Sequence, residues 1–177
     1  MSHVFPRNNK KTVPLAVSGE GCFLIDADGS RYFDGSGGAA ISSLGHSNAS
    51  VVAAVQDQVS KLAFAHTSFF TSEPAEELAD LLIKNAPGLL DKVYLVSGGS
   101  EAIEAAMKLA RQYHIENGQP ERRHFISRRQ SYHGNTLGAL AVGGNEWRRQ
   151  QFSPLLFNVS HIAPCYEYVD KNLNESS

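Results

Sequence analysis

Cysteine is scarce: Cys22 and Cys165 are the only two in 177 residues, and they fit no metal-ligand or redox spacing. Two free thiols in a cytoplasmic protein are expected. A large excess of charge of one sign is also missing. A formal net charge of −2 gives no broad basic surface for nucleic acid and no polybasic face for a membrane. No apolar run is long enough to span a bilayer, and the opening stretch MSHVFPRNNKK lacks the apolar segment of a secretory signal. Without a secretory route, the Asn-X-Ser tripeptides at Asn48, Asn158 and Asn174 carry no meaning. Neither GxGxxG nor GxxxxGK[ST] occurs, which disfavours a Rossmann dinucleotide site and a P-loop. His66 has no second ligand-type residue at a chelating interval, so it reads as a hydrogen-bonded loop histidine, and no metal site is expected.

What is there is an ordinary globular composition, long enough to bury roughly 70% of its unfolded surface as one domain. The chain is organised around residues 92–111, KVYLVSGGSEAIEAAMKLAR. An apolar run at 93–96 reads as a strand and meets the small-residue turn Ser97-Gly98-Gly99-Ser100, after which a helical pattern opens at Glu101. Glycines let backbone approach a ligand closely, and a helix start points free N–H groups at it. This is the build of an anion site, most naturally for a phosphate. The same build also serves a tight strand-to-helix turn with nothing bound.

Residues 1–18, with Pro6 and Pro14 and no periodicity, read as an extended arm. A hairpin follows over residues 21–34, its arms joined by Asp26-Ala27-Asp28-Gly29, whose Asp-Gly pair suits positive φ. The glycine- and alanine-rich residues 35–40 are either a flexible linker or a place where backbone leaves room for a ligand. Ser47 or Asn48 can cap a helix to about Leu62 with Val51, Val52, Val55 and Val59 on one face. A further helix starts near Ser72-Glu73-Pro74 and ends between Asn85 and Gly88. In the central helix, Glu104 and Lys108 stand as an i,i+4 ion pair. Residues 124–127 and 157–163 read as further strands, and 136–142 begins a short helix. The arginines at 122, 123, 128, 129, 148 and 149 read as solvated faces or ion-pair partners, against a local anion patch.

Strands alternating with helices argue an α/β fold with a parallel sheet, whose ligands bind outside the carboxyl ends of the strands. Two loops fall at such ends: Ser97-Gly98-Gly99-Ser100 and Ser131-Tyr132-His133-Gly134. The first offers N–H groups and hydroxyls to an anion. The second offers Tyr132, an aromatic suited to stacking on a planar ring, beside His133. Together they suggest a planar, phosphorylated cofactor.

The motifs Gly19-Glu20-Gly21, Asp28-Gly29, Tyr32-Phe33-Asp34, Leu44-Gly45-His46, Ser97-Gly98-Gly99-Ser100-Glu101-Ala102, Lys108-Leu109-Ala110-Arg111 and Ser131-Tyr132-His133-Gly134-Asn135-Thr136 stand in one order over nearly the whole chain. In that order and spacing the sequence resembles the N-terminal portion of the class III (ω-type) pyridoxal-phosphate-dependent aminotransferases of fold type I. The resemblance implies an arm, hairpin and first helix of a small domain over residues 1–60, and an incomplete cofactor-binding large domain over 61–177. It implies pyridoxal 5'-phosphate as cofactor, with its phosphate on Gly99 and Ser100, its ring on Tyr132, and Gly98 and His133 lining the pocket. It further implies amine or amino acid and keto acid or aldehyde substrates and a homodimer whose N-terminal region, near Phe5 and residues 37–40, shapes the substrate pocket. Some relatives carry a bulky aromatic near the position aligned with Ala40, so a roomier pocket is expected there.

The chemistry also requires a lysine for the Schiff base and an acid partner for the pyridine nitrogen, both on later strands in this family. Lys10, Lys11, Lys61, Lys84, Lys92, Lys108 and Lys171 match no such context, so no catalytic residue is assigned. The expectation is the front part of an aminotransferase polypeptide, inactive alone. A decarboxylase or aminomutase of the same fold stays open. So does a non-catalytic phosphate-binding or interaction module.

Overall fold

The structure, a computed structural model, describes residues 3–170. The chain divides into two compact units, Met1–Asp80 and Leu81–Ser177.

The first unit holds a three-stranded antiparallel sheet in the order β1 (Ala16–Glu20), β2 (Phe23–Asp26), β3 (Arg31–Phe33). The expected hairpin is β2–β3, with Phe23 opposite Phe33 and Ile25 opposite Arg31. Asp26 closes its turn. One carboxylate oxygen accepts from the amides of Asp28 and Ser30 at 3.0 and 2.8 Å, and the other accepts from the Tyr32 hydroxyl at 2.8 Å. The Tyr32 hydroxyl foremost, then the two amides, holds the Asp26 carboxyl below its usual range, and the same bond raises the Tyr32 hydroxyl.

β1 corrects the expectation of an arm over residues 1–18. AVSGE has no alternation of its own, and it becomes a strand because β2 offers an edge, with Glu20 opposite Phe23 and a bulge between Ala16 and Ser18. Residues 35–40 are not a linker. They are neither loose nor extended but form a single turn, α1 (Gly37–Ala40), with φ of 56° at Gly37, 58° at Gly38, 62° at Ala39 and 69° at Ala40. For an alanine, left-handed backbone costs about 1–2 kcal/mol per residue, so something must hold it.

Asp34 does so. Its carboxylate accepts from the Gly38 amide at 3.0 Å and the Ser42 hydroxyl at 2.8 Å, and His46 Nε2 donates to it at 2.9 Å. These donors, the Gly38 amide first, bring the Asp34 carboxyl from 3.8 down to about 2. A lowered folded-state pKa means that the contribution is complete above the unfolded value and is lost as pH falls. Between about pH 4 and pH 2 the turn should therefore loosen. Urea titrations at steps from pH 5 to pH 2 should show stability falling through that window, and Asp34→Asn should flatten the fall. An equal slope in the variant would remove Asp34 from the account.

Helix α2 (Ala49–Lys61) begins where expected, its Asn48 cap accepting from the Ser50 and Val51 amides at 3.1 and 3.2 Å, an arrangement worth ~1 kcal/mol. Lys61 pairs with Asp57 at 2.7 Å. Helix α3 (Glu73–Lys84) follows, with Glu73 and Glu76 in its first turn.

The second unit comprises α4 (Gly99–Glu116), β4 (Ile126–Arg128), α5 (Leu137–Val142), α6 (Glu146–Arg149), a 3-10 helix at Gln150–Leu155, β5 (Ser160–Ile162) and α7 (Glu167–Asp170). β4 and β5 run parallel, Ile126 opposite Ser160 and Arg128 opposite Ile162, the α/β crossover the sequence implies. Residues 93–96 are a correction. Their β-rich composition reads as a strand, yet they have no ladder partner among the described residues, and pairing is what makes a strand.

Short α5 is the packed centre. Among the described residues, the buried apolar side chains are its Ala139, Leu140, Ala141 and Val142. The turn that ends it is clasped to the end of β4. Gln130 N–H donates to the Gly144 carbonyl and Gly144 N–H to the Ser131 carbonyl, both at 3.0 Å. His161 Nε2 donates to the Gly143 carbonyl at 3.0 Å. No helix among the described residues is long and apolar enough to cross a membrane.

Candidate functional site

The start of α4 is open. The Gly98 carbonyl takes the first helical bond, from the Ala102 amide at 3.0 Å, while the amides of Gly99, Ser100 and Glu101 meet no acceptor among the described residues. Nothing lies within 4 Å of where a Gly99 Cβ would stand, so the approach is clear. The Glu101 carboxylate lies to the Gly98 side, 3.0 Å from the corresponding point there. Ser100 has one more connection: its hydroxyl oxygen accepts the Asn135 amide at 2.8 Å. A hydroxyl has one hydrogen to give, and that bond consumes only a lone pair, so Ser100 keeps its O–H for a ligand. The set is three amides and one hydroxyl, all donors. It fits the acceptor-only oxygens of a phosphate, and the helix start favours negative charge.

The loop after β4 lies against this turn. Gly134 is buried, and a Cβ there would fall 2.8 Å from Ser100 Cα and closer still to its hydroxyl. The loop thus carries Tyr132 to the neighbourhood of the open amides. Tyr132 is 64% exposed, and the Arg148 guanidinium stands 5.1 Å from its ring centroid and 4.5 Å from that of Trp147. Beside it is a hollow of about 560 Å³ lined by Gly134, Asn135, Trp147, Arg148 and Phe152, among others.

His133 goes elsewhere. It lines a smaller cavity of about 250 Å³ with Ile103, Met107, Ser127 and Val142, its Nε2 3.4 Å from the Ser127 hydroxyl. Ser100 is thus joined through Gly134 and Asn135 to the loop that carries Tyr132, and His133 of that loop faces a cavity with Ile103 and Val142.

Three contributors escaped the sequence. Asn135 acts through its backbone, which no side-chain pattern reveals. Arg148 stacks on Tyr132 instead of pairing on a solvated face, whereas its neighbour Arg149 does pair, with Glu146 at 3.2 Å. Glu104 makes no ion pair with Lys108; its carboxylate accepts from Thr136 Oγ1 at 2.5 Å and from the Ala139 amide at 3.3 Å. Among the described residues no cluster of three or more His, Cys, Asp or Glu side chains could hold a metal ion.

The open start of α4 lies against the loop that follows the carboxyl end of β4, so donors suited to an anion and an exposed aromatic belong to two joined segments. The chain belongs to the class III aminotransferases, whose family-wide profile matches residues 4–177. It is 39% identical to an uncharacterized aminotransferase of Schizosaccharomyces pombe, over 99% of this chain and 39% of the relative. It is 40% identical to the acetylornithine aminotransferase of Clostridium acetobutylicum, over 81% of this chain and 36% of that protein. The omega transaminase of Pseudomonas jessenii, crystallised in complex with PMP, superposes with a TM-score of 0.89 at 28% identity, covering 99% of this chain and 40% of that one. The chain thus spans about two-fifths of the length of the relatives it matches. The neighbours are fold type I transaminases, as the resemblance implied.

Proposed function

We propose that this protein holds pyridoxal 5'-phosphate, its phosphate on the amides and hydroxyl of Gly99 and Ser100 beside Gly98, its ring on Tyr132, with His133 supporting the loop. The activity is amino-group transfer between an amine or amino acid and a keto acid or aldehyde. One observation carries the reading: the Asn135 amide at 2.8 Å from the Ser100 hydroxyl joins the anion turn to the aromatic loop and leaves Ser100 its hydrogen to donate. When bound, the cofactor supplies the carbonyl that takes up the amino group and the electron sink that stabilises the reacting carbon. This chain's share is to anchor, orient and stack. No lysine is assigned to chemistry here: Lys61 is tied to Asp57, and Lys108 borders a surface hollow with Phe125 and Phe157.

A homodimer, a cytoplasmic location and a small-domain portion over residues 1–60 ahead of a large-domain portion over 61–177 complete the reading. The family pattern supports the dimer and the division, and the two free, exposed cysteines support the compartment.

Equilibrium titration with pyridoxal 5'-phosphate, followed by absorbance, tests the site. Saturable binding is expected, weakened about tenfold or more by Ser100→Ala, which removes one donor to the phosphate and the seat of Asn135. Saturation by inorganic phosphate with no response to the cofactor would replace this reading with a simple anion module.

A further inference from the structure

Ser100 and Glu104 are four residues apart on α4 and so share a face, one turn apart. Each engages the same passing strand of backbone. Ser100 takes the Asn135 amide at 2.8 Å and has Gly134 against it. Glu104 takes Thr136 Oγ1 at 2.5 Å and the Ala139 amide at 3.3 Å, at the point where Thr136 caps α5. Gly138 leaves space for that carboxylate, since a Cβ would lie 2.5 Å from both of its oxygens. The two rungs run in register, residues 134–135 on Ser100 and residues 136–139 on Glu104. Only the first rung touches the anion turn. The second, part-buried, joins Glu104 to Thr136 and Ala139.

We propose that Glu104 is the positioning residue of the site: its carboxylate caps α5 and thereby fixes the aromatic loop on the start of α4, setting where Tyr132 stands relative to the phosphate donors. This inference rests on the cofactor reading above. The phosphate donors belong to residues 99–101 and do not depend on Glu104, whereas the position of the ring platform does. Loss of the carboxylate should therefore be felt by a ligand with both phosphate and ring, and scarcely by phosphate alone. A residue that merely stabilised the fold would weaken both together.

The experiment uses the protein freed of cofactor and titrated with pyridoxamine 5'-phosphate, which has the phosphate and the ring but no aldehyde. A second titration uses inorganic phosphate. Glu104→Ala is expected to weaken the first ligand roughly tenfold, the scale of a lost stacking contact, and to leave the second within about twofold. Glu104→Gln keeps an acceptor oxygen for Thr136 and Ala139 and should restore most of the loss. Hydrogen exchange without ligand should quicken over residues 132–139 in Glu104→Ala and not in Glu104→Gln. Thr136→Val removes one donor of the rung at nearly constant volume, and should show the same split in milder form if Glu104→Ala does not fold. Equal loss for both ligands, no loss for either, or failure of Glu104→Gln to rescue would each overturn the positioning role. A parent protein that binds phosphate but not pyridoxamine 5'-phosphate would instead overturn the cofactor reading on which it rests.

Discussion

Gly134→Ala is expected to weaken the proposed hold on pyridoxamine 5'-phosphate by about a hundredfold. The added Cβ would stand 2.8 Å from Ser100 Cα and 2.9 Å from its Cβ, well inside van der Waals contact. Neither atom can swing aside, because the first is backbone of a helix start and the second is fixed to it. Gly134 also has φ of +134°, a conformation an alanine adopts only with strain. The loop must then lift, which breaks the Asn135 amide bond to Ser100 and moves Tyr132 together with it. Calorimetric titration of the parent and variant measures the effect. An affinity within about threefold of the parent would show that the loop is not seated as described.

The second large effect is on folding. Gly144→Ala would drive a Cβ into the Arg128 carbonyl oxygen and to 2.6 Å from Arg129 Cα, backbone atoms at and just after the end of β4. The turn there is held by two amide bonds of 3.0 Å and cannot retreat without releasing α5, which carries the buried apolar residues 139–142. Overpacking against fixed backbone is expected to cost at least about 3 kcal/mol. In a chain of this length that lowers the melting temperature by roughly 6–12 °C. Far-UV circular dichroism melts of the parent and variant decide it, and a loss under about 3 °C would contradict so close an approach.

Local chemistry was the readable part of both fold and site. Asn48 before a valine stripe and Asp28-Gly29 between two apolar runs specify a cap and a turn through interactions spanning a few residues, and the structure has both. Ser97-Gly98-Gly99-Ser100 declares itself in the same way, because the donors of a helix start belong to that start. What escaped depends on partners distant in the chain. Ala16–Glu20 is a strand only beside β2, and residues 93–96 are strand-like in composition without a ladder. Ala39 and Ala40 look like linker because alanine rarely adopts positive φ; the carboxylate that holds the turn, Asp34, is read as a hairpin end. Glu104 beside Lys108 matches a favourable surface pair, and nothing within the helix reveals that Thr136 will arrive to claim it.

The distance between the two halves of the site has a consequence for the order in which it is made. Ser100 and Asn135 are 35 residues apart, as the bond between them records. During synthesis from the N-terminus, the turn at residues 97–100 leaves the ribosome before the loop at residues 131–135. The two are joined once residues 137–142 have emerged and packed, which closes the backbone of residues 134–139 onto α4. Under the proposed cofactor reading, selectivity for a flat, phosphorylated ligand depends on the packing of a six-residue helix.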